Sequence, residues 1–241
     1  MEYAMKKVLL IVLLVVICAV GAAAYAGYRF VSFLASCNGC VYEYNGGTVV
    51  QGSGHPATQS RAVTGFSAIH VAGSGTVLVD RTGTESLTIT ADDNLLPMFT
   101  SEVKDGVLNL GVAKGKSFQG KAPIYRITVA ALRDIESAGS GDVTANNLDG
   151  DSLSVKIAGS GDAKLAGQAN SLTISVAGSG SVDASMLKAK NATVTVAGSG
   201  DVTVNASDTL DARVAGSGDV RYLGSPKLTK KVGGSGSIEH K

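Results

Sequence analysis

The fold is decided by the stretch VAGSGSVDASMLKAKNATVTVAGSGDVTVNASDTLDARVAGSGDV, residues 176–220, in which the tetrapeptide AGSG occurs three times. Further copies begin at Ala72, Ala138 and Ala158, and the variant GGSG begins at Gly233. From Ala138 onward, successive copies start 18–20 residues apart, whereas the first two start 66 residues apart (72 to 138). A period that is held over so many copies indicates a repeat architecture.

Apolar and polar residues alternate on both sides of the tetrapeptide. Around the copy at Ala197, Val194 and Val196 precede it, and Val202 and Val204 follow it. This period of two is the pattern of strands. Two short strands fit into about 19 residues, whereas helix-pair repeats need more than ~30. We therefore predict an all-β chain whose repeats are the coils of a parallel β-solenoid, and the crossover rule predicts a right-handed one.

The glycines of each copy are predicted to form a sharp corner of the coil, because Gly adopts positive φ without steric cost. These predicted turn residues are Gly73, Gly75, Gly139, Gly141, Gly159, Gly161, Gly178, Gly180, Gly198, Gly200, Gly216, Gly218, Gly234 and Gly236. Since the corner recurs at every level, we expect the intervening serines to stack as a hydroxyl ladder.

A column of aspartates follows the corner, at Asp142, Asp162, Asp201 and Asp219. Asp side chains cap turn N–H groups, and this role is sufficient to account for them. The alternative is a weak cation site along the column, although Ca²⁺ takes six to eight oxygens and each coil supplies one Asp.

The N-terminus carries a targeting signal. Lys6 and Lys7 precede an uncharged, mostly apolar run at residues 8–28. Such a run is typical of a secretory signal, and it is also long enough to span a bilayer of ~30 Å. Residues 1–28 are therefore predicted to be a signal peptide or a membrane anchor. A third interpretation is a lipoprotein, because residues 34–37 (LASC) resemble a bacterial lipobox with Cys37 as the lipidated residue. All three predict export to the periplasm or cell envelope.

Residues 29–60 are predicted to be a tether, and residues 61–241 to be the solenoid. The tether contains the motif CNGC at residues 37–40, which lacks the flanks of a redox or zinc motif. A local disulfide, or a lipid on Cys37, is the expected role. Within the solenoid, residues 91–123 are predicted to form an excursion with a hairpin whose turn is Asp105-Gly106.

Composition excludes several classes of function. Lys and Arg number 21 and Asp and Glu 20, so the net charge is +1, and aromatic residues make up 5% with no Trp. A nucleic-acid partner is not expected, because such binders need a basic surface and stacking rings. We find no catalytic residues, no cofactor motif and no spacing of His residues that is typical of metal ligands, and we predict a protein that is not an enzyme.

Asp80 and Arg81 could meet Arg133 and Asp134 on one flank of the solenoid near the excursion, but solvated surface charge is the default interpretation of these residues.

Four segments carry a resemblance to a known family. They are FSAIHVAGSGTVLV (66–79), ADDNLLPMF (91–99), VKDGVLNL (103–110) and PIYRITVAALRDIESAGSGDV (123–143). Together with the later AGSGDV copies, they resemble the bacterial head GIN domain family, named for the head of a putative auto-transporter adhesin. The likeness covers residues 60–241 and implies an exported β-helical protein of the cell envelope, and the family offers no catalytic residues to assign.

Three functional hypotheses follow. The first is a non-enzymatic, adhesin-like binding or scaffolding module that contacts a surface glycan or an envelope protein, with membrane contact through the N-terminal segment if it is uncleaved or lipidated. The second is a structural element that polymerises through the solenoid ends, because no polar cap follows the copy at Gly233. A polysaccharide-active β-helix enzyme is a distant third, since β-helix enzymes need a clustered charged groove.

Overall fold

The computed structural model describes residues 39–44 and 47–241, which are almost entirely β structure. The strands are β1 (Val41–Tyr44), β2 (Gly47–Gln51), β3 (Pro56–Arg61), β4 (Ala68–Gly73), β5 (Thr76–Arg81), β6 (Ser86–Asp92), β7 (Phe99–Lys104), β8 (Val107–Val112), β9 (Lys116–Gln119), β10 (Ile124–Val129), β11 (Asp134–Gly139), β12 (Asp142–Gly159), β13 (Ala163–Gly178), β14 (Val182–Gly198), β15 (Val202–Gly216), β16 (Val220–Leu223), β17 (Lys227–Gly234) and β18 (Ile238–His240). A short 3-10 turn spans Leu96–Met98. In this described part, no helix is long and apolar enough to cross a membrane. The predicted leader and Cys37 lie outside it.

The long strands β12 to β15 stack in parallel, one coil on the next. Val155 is the register partner of Ile174, Ile174 of Val194, and Val194 of Ala212. These partners are 19, 20 and 18 residues apart in sequence, so the stacking period is the period of the AGSG copies. The predicted parallel β-solenoid with coils of about 19 residues is confirmed.

The core is a set of columns inside the coils. One such column consists of Val155, Ile174, Val194 and Ala212, one from each of β12 to β15, and each is 0% exposed. The residues directly before and after each of them on its strand face outward. Burial of one Val or Ile side chain contributes ~1.5–3 kcal/mol. A single coil has nothing on which to bury this face, so each coil depends on its neighbours.

Close approach of successive coils requires glycine at both positions of most corners, and the first position requires it also for its backbone conformation. The first has a positive φ in all seven copies, between 108° and 140°. Among the second glycines, only Gly75 has a φ of this kind. At Gly161, Gly180, Gly200, Gly218 and Gly236 the coils approach too closely for a side chain. A Cβ at Gly200, for example, would collide with the carbonyl oxygen of Gly180 and lie 2.8 Å from Val176 Cγ1.

Backbone groups, rather than serine hydroxyls, link the corners. The N–H of Ser160 donates to the Gly139 carbonyl at 2.9 Å, the N–H of Ser179 donates to the Gly159 carbonyl at 2.9 Å, and the later corners repeat this bond. The serine side chains are exposed, and in the described chain no hydrogen bond joins one of these hydroxyls to the next. The expected hydroxyl ladder is therefore wrong. The serine side chains lie at the surface, and hydrogen bonds between backbone groups supply the ladder.

The excursion widens the first part of the solenoid with antiparallel strands. β7 and β8 form a hairpin in which Lys104 pairs with Val107, and the turn residues Asp105 and Gly106 have φ of 52° and 78°. Positive φ at both positions is the type I′ geometry that Asp-Gly favours, so the predicted hairpin is present. β10 lies between β5, which it pairs in parallel, and β6, which it pairs antiparallel.

Residues 41–44 and 47–61 differ from the predicted tether, because they include strands β1, β2 and β3. β2 pairs in parallel with β9, and β3 pairs antiparallel with β6. The excursion strands thus provide free edges to which this segment adds. Gly52 N–H also donates to the Gln119 carbonyl at 2.7 Å, and Gly54 N–H donates to the buried carboxylate of Asp92 at 3.1 Å. Cys40 is disulfide-bonded, and its partner lies outside the described residues.

Candidate functional site

A polar groove of about 770 Å³ runs across four successive coils, β12 to β15. Its floor consists of small residues in register, Gly150, Ala169 and Ala189, and Ala206 continues the same column. The three alanines are buried. The alanine side chains point toward the core, so the strand backbone itself forms the floor, and the outward side chains on both sides rise above it.

Two columns of polar side chains form the walls of the groove. Successive residues of a strand point to opposite faces, so the residues before and after each floor position point away from the core. One wall consists of Asp149, Gln168, Lys188 and Asn205, and the other consists of Asp151, Asn170, Lys190 and Ser207. With strands ~4.8 Å apart, four levels extend over about 14 Å along the solenoid axis.

The acidic side chains at one end of the groove are held by amides, while the lysines are not. Gln168 Nε2 donates to Asp149 Oδ1 at 3.1 Å, and Asn170 Nδ2 donates to Asp151 Oδ1 at 2.8 Å. Within the described residues, Lys188 and Lys190 form no ion pair or hydrogen bond. The groove therefore presents two free cationic groups beside a set of ordered hydrogen-bonding groups.

Sequence reasoning missed this groove, although a signal for it exists. Each of the four coils carries a polar–small–polar triplet, which reads DGD at 149–151, QAN at 168–170, KAK at 188–190 and NAS at 205–207. The triplets attract less notice than AGSG because only the small central position is shared. The period of the repeat would have placed them in one column.

The aspartates of the predicted column, Asp142, Asp162, Asp201 and Asp219, cap N–H groups of the following coil. Asp142 Oδ1 accepts from the N–H of Asp162 at 3.0 Å, and Asp219 Oδ1 accepts from both the N–H and the hydroxyl of Ser237 at 2.9 Å. The hydroxyl bond is the main cause that lowers the pKa of Asp219. The predicted capping role thus acts between coils. The weak cation site along this column stays a prediction, and these oxygens already serve N–H groups.

A second cluster lies on the outer face of β4 and β11. Glu136 is the register partner of His70, and Asp134 lies two residues earlier on the same strand face. His70 Nε2 is 3.2 Å from Asp134 Oδ2 and 3.8 Å from Glu136 Oε2. His70 and Glu136 also line a cleft of about 340 Å³. Because 64 residues separate His70 from Asp134, sequence spacing gave no sign of this cluster, which arises from the strand register.

The charged residues that could have met near the excursion are not brought together. Asp80 accepts from Asn147 Nδ2 at 3.2 Å, Arg81 pairs with Asp149 at 3.7 Å, and Asp134 pairs with His70. No ion pair or hydrogen bond in the described chain joins Asp80 or Arg81 to Arg133 or Asp134. Asp80 and Arg81 lie on β5, whereas Asp134 begins β11, and each of these strands has its own register partners.

Comparison with known proteins identifies relatives of the solenoid. A family model described as "Putative auto-transporter adhesin, head GIN domain" matches residues 65–226. The crystal structure of a putative adhesin from Bacteroides fragilis is 29% identical, with a TM-score of 0.67, and the match covers 79% of this chain and 99% of that one. A putative lipid binding protein from Parabacteroides distasonis (23% identical, TM-score 0.56) and a putative adhesin from Parabacteroides merdae (22%, 0.55) share the fold, each over 80% of this chain and 99% of their own. No curated protein matches the chain. The chain belongs to the family of the putative auto-transporter adhesin head GIN domain.

Proposed function

We propose that this protein is an exported protein of the cell envelope whose β-solenoid is a non-enzymatic, adhesin-like binding module. The observation that carries the proposal is the polar groove over β12 to β15. Its four levels of outward polar side chains over a floor of small residues offer a long, shallow contact surface. Such a surface suits an extended polymer better than a small molecule, because small-molecule sites are mostly deep and apolar.

The chemistry of the groove favours a surface glycan with anionic groups. A glycan presents hydroxyl groups, which match the amides of Gln168, Asn170 and Asn205 as donors and acceptors. Lys188 and Lys190 add two cations that form no ion pair in the described chain. A carboxylated or sulfated sugar would supply the opposite charge. An envelope protein with an acidic segment is the alternative partner.

Several features support a binding role rather than an enzymatic one. The carboxyl groups of Asp93, Asp183 and Asp219 have pKa values below the ordinary one, and in each case a hydrogen bond from a serine is the main cause. A glycosidase general acid needs the opposite, a raised pKa. In the groove, the Asp149 and Asp151 carboxylates are engaged by amide hydrogen bonds from Gln168 and Asn170. Export is supported by the run at residues 8–28 and by the name of the family.

The structure also bears on the self-assembly alternative. β17 pairs with β15 on one side, and its described surface carries the exposed side chains of Lys227, Lys230 and Lys231. Lysines on a strand edge oppose edge-to-edge pairing, so β17 is poorly suited to pairing with a strand of a second molecule. Light scattering over a concentration series tests the alternative directly, and growth of particle size with concentration would support polymerisation.

The binding proposal is tested with the full-length chain in mild detergent and immobilised polysaccharides. Alginate and polygalacturonate serve as uronic-acid probes, and dextran serves as the neutral control. We expect the wild type to bind an acidic probe and to bind dextran less. The double variant Lys188→Gln/Lys190→Gln should lose at least tenfold in affinity, because two charge-assisted hydrogen bonds to the acidic polymer are removed.

The matched control is Lys230→Gln/Lys231→Gln, which removes the same charge outside the groove. It should retain wild-type affinity. Equal losses in both variants would show that binding follows net charge, and the groove would then not be the site. Absence of binding to every probe would leave the glycan proposal without support and favour the acidic protein partner.

A further inference from the structure

We propose that His70, Asp134 and Glu136 form a Zn²⁺-binding site on the outer face of β4 and β11. This proposal is independent of the groove, which lies on later coils. Imidazole nitrogens and carboxylate oxygens are both zinc ligands, and three protein ligands leave one coordination position of a tetrahedral ion open. The imidazole nitrogen favours zinc over calcium or magnesium, which take oxygen ligands.

The distances between the donor atoms match a tetrahedral ion. With metal–ligand bonds of about 2.0–2.1 Å, two ligands of a tetrahedral Zn²⁺ lie about 3.4 Å apart. His70 Nε2 lies 3.2 Å from Asp134 Oδ2 and 3.8 Å from Glu136 Oε2, and all three donor atoms lie within 4.8 Å of one another. The two distances from His70 Nε2 therefore differ from the tetrahedral value by only a few tenths of an ångström, and rotation of the carboxylate side chains would complete the geometry.

The backbone under the three residues is fixed on both sides. β4 lies between β8 and β11, and β11 lies between β4 and β12. The register that pairs His70 with Glu136 is part of a sheet that cannot shift by one residue without turning its core residues outward. Ligands placed on such strands are preorganised, which reduces the entropy lost when an ion binds.

The open coordination position of the ion would face a cleft that has room for a ligand. His70 and Glu136 line the cleft of about 340 Å³, together with Thr100 and Asn109. The side chains of His70, Asp134 and Glu136 are 37%, 24% and 39% exposed, so an ion reaches them from solvent without opening the core. Water or an anionic oxygen of a ligand would take the fourth position.

Lys156 is the competing cation. Its Nζ lies 3.8 Å from Glu136 Oε2, and its side chain is 55% exposed. In the absence of zinc it partly neutralises the Glu136 carboxylate, and it must move aside when the ion binds. Its flexible stem allows this. Removal of its charge should therefore strengthen zinc binding, a result that a purely structural ion-pair cluster would not give.

The test is a titration of the full-length chain with Zn²⁺ by calorimetry, in mild detergent and with an affinity tag that contains no histidine. We expect the wild type to bind one zinc ion more than His70→Ala does. His55→Ala is the matched control, because it also removes one exposed histidine, and it should bind as the wild type does. All variants keep the three cysteines, so any zinc held by them is common to the series.

Further variants separate a metal site from an ion-pair cluster. Asp134→Asn and Glu136→Gln should each weaken the site at least tenfold, and Lys156→Gln should tighten it. Co²⁺ bound to the wild type should show the visible absorption of a low-coordinate ion, and this absorption should be absent in Glu136→Gln. The absorption serves as the readout if His70→Ala does not fold. Equal zinc stoichiometry in the wild type and His70→Ala would overturn the proposal. Binding that is weakened equally by His55→Ala would show an adventitious surface ion and would also overturn it.

Discussion

Alanine in place of the second glycine of an inner corner should destabilise the solenoid strongly. At Gly200, a Cβ would collide with the carbonyl oxygen of Gly180 and lie 2.8 Å from Val176 Cγ1. The obstacle is mainly backbone of the adjacent coil, which cannot rotate away as a long side chain can. The two coils must therefore separate locally at this corner.

The size of the effect follows from what that separation disrupts. Overpacking of a close-packed interior costs ~1–3 kcal/mol. The bond from the Ser199 N–H to the Gly178 carbonyl, at 2.9 Å, lies at the same corner and would lengthen, with a loss of about 1 kcal/mol. We expect Gly200→Ala to lower the free energy of unfolding by about 3 kcal/mol. For a folded body of this size, the melting temperature should fall by about 10 °C.

The assay is thermal unfolding followed by circular dichroism, with Gly233→Ala as the matched control. Gly233 occupies the position that is Ala in the other six copies, and a Cβ there would lie 3.9 Å from the Val214 carbonyl oxygen, in ordinary contact. The control should be neutral or slightly stabilising, because it reduces the freedom of the unfolded chain. If Gly200→Ala melted within 2 °C of the wild type, or if Gly233→Ala cost as much, the close-approach explanation would be refuted.

Two further predictions concern ionisation. The pKa of Asp219 is lowered from its ordinary value of 3.8 mainly by the Ser237 hydroxyl, so its ionised form supports the fold above that value, and the support disappears as the pH falls through the lowered pKa. Asp219→Ala should accordingly melt below the wild type at neutral pH and together with it in strong acid, and a difference that persists in acid would contradict this. Burial raises the pKa of Tyr125 from 10.0 to about 12. Stability should therefore fall between these values by about 3 kcal/mol as the unfolded chain ionises, and Tyr125→Phe, followed by chemical denaturation across that range, should lack this part of the fall.

Much of the fold was predictable from sequence because its interactions are periodic. Val194 and Val196 before a corner, and Val202 and Val204 after it, have counterparts at the same positions of the neighbouring coils. The pattern of one repeat therefore predicts the strands and the core residues of the others. The Asp105-Gly106 hairpin was equally predictable, since its turn geometry depends on two adjacent residues. Residues 41–61 were not. Strands β2 and β3 pair with edges supplied by residues 86–119, and the sequence of the segment itself contains no feature that indicates these partners.

The candidate sites follow the same division. The period of AGSG by itself determined the stacked coils, the apolar columns and the place of glycine at each corner, because these depend on residues at short and regular separations. Only the tertiary structure decided which outward residues share a surface. It joined His70 to Asp134 and Glu136, and it set four unlike triplets side by side as the walls of the groove. The outward residues differ in type from coil to coil, so the repeat pattern does not predict which of them form a site. The register between coils brings them together.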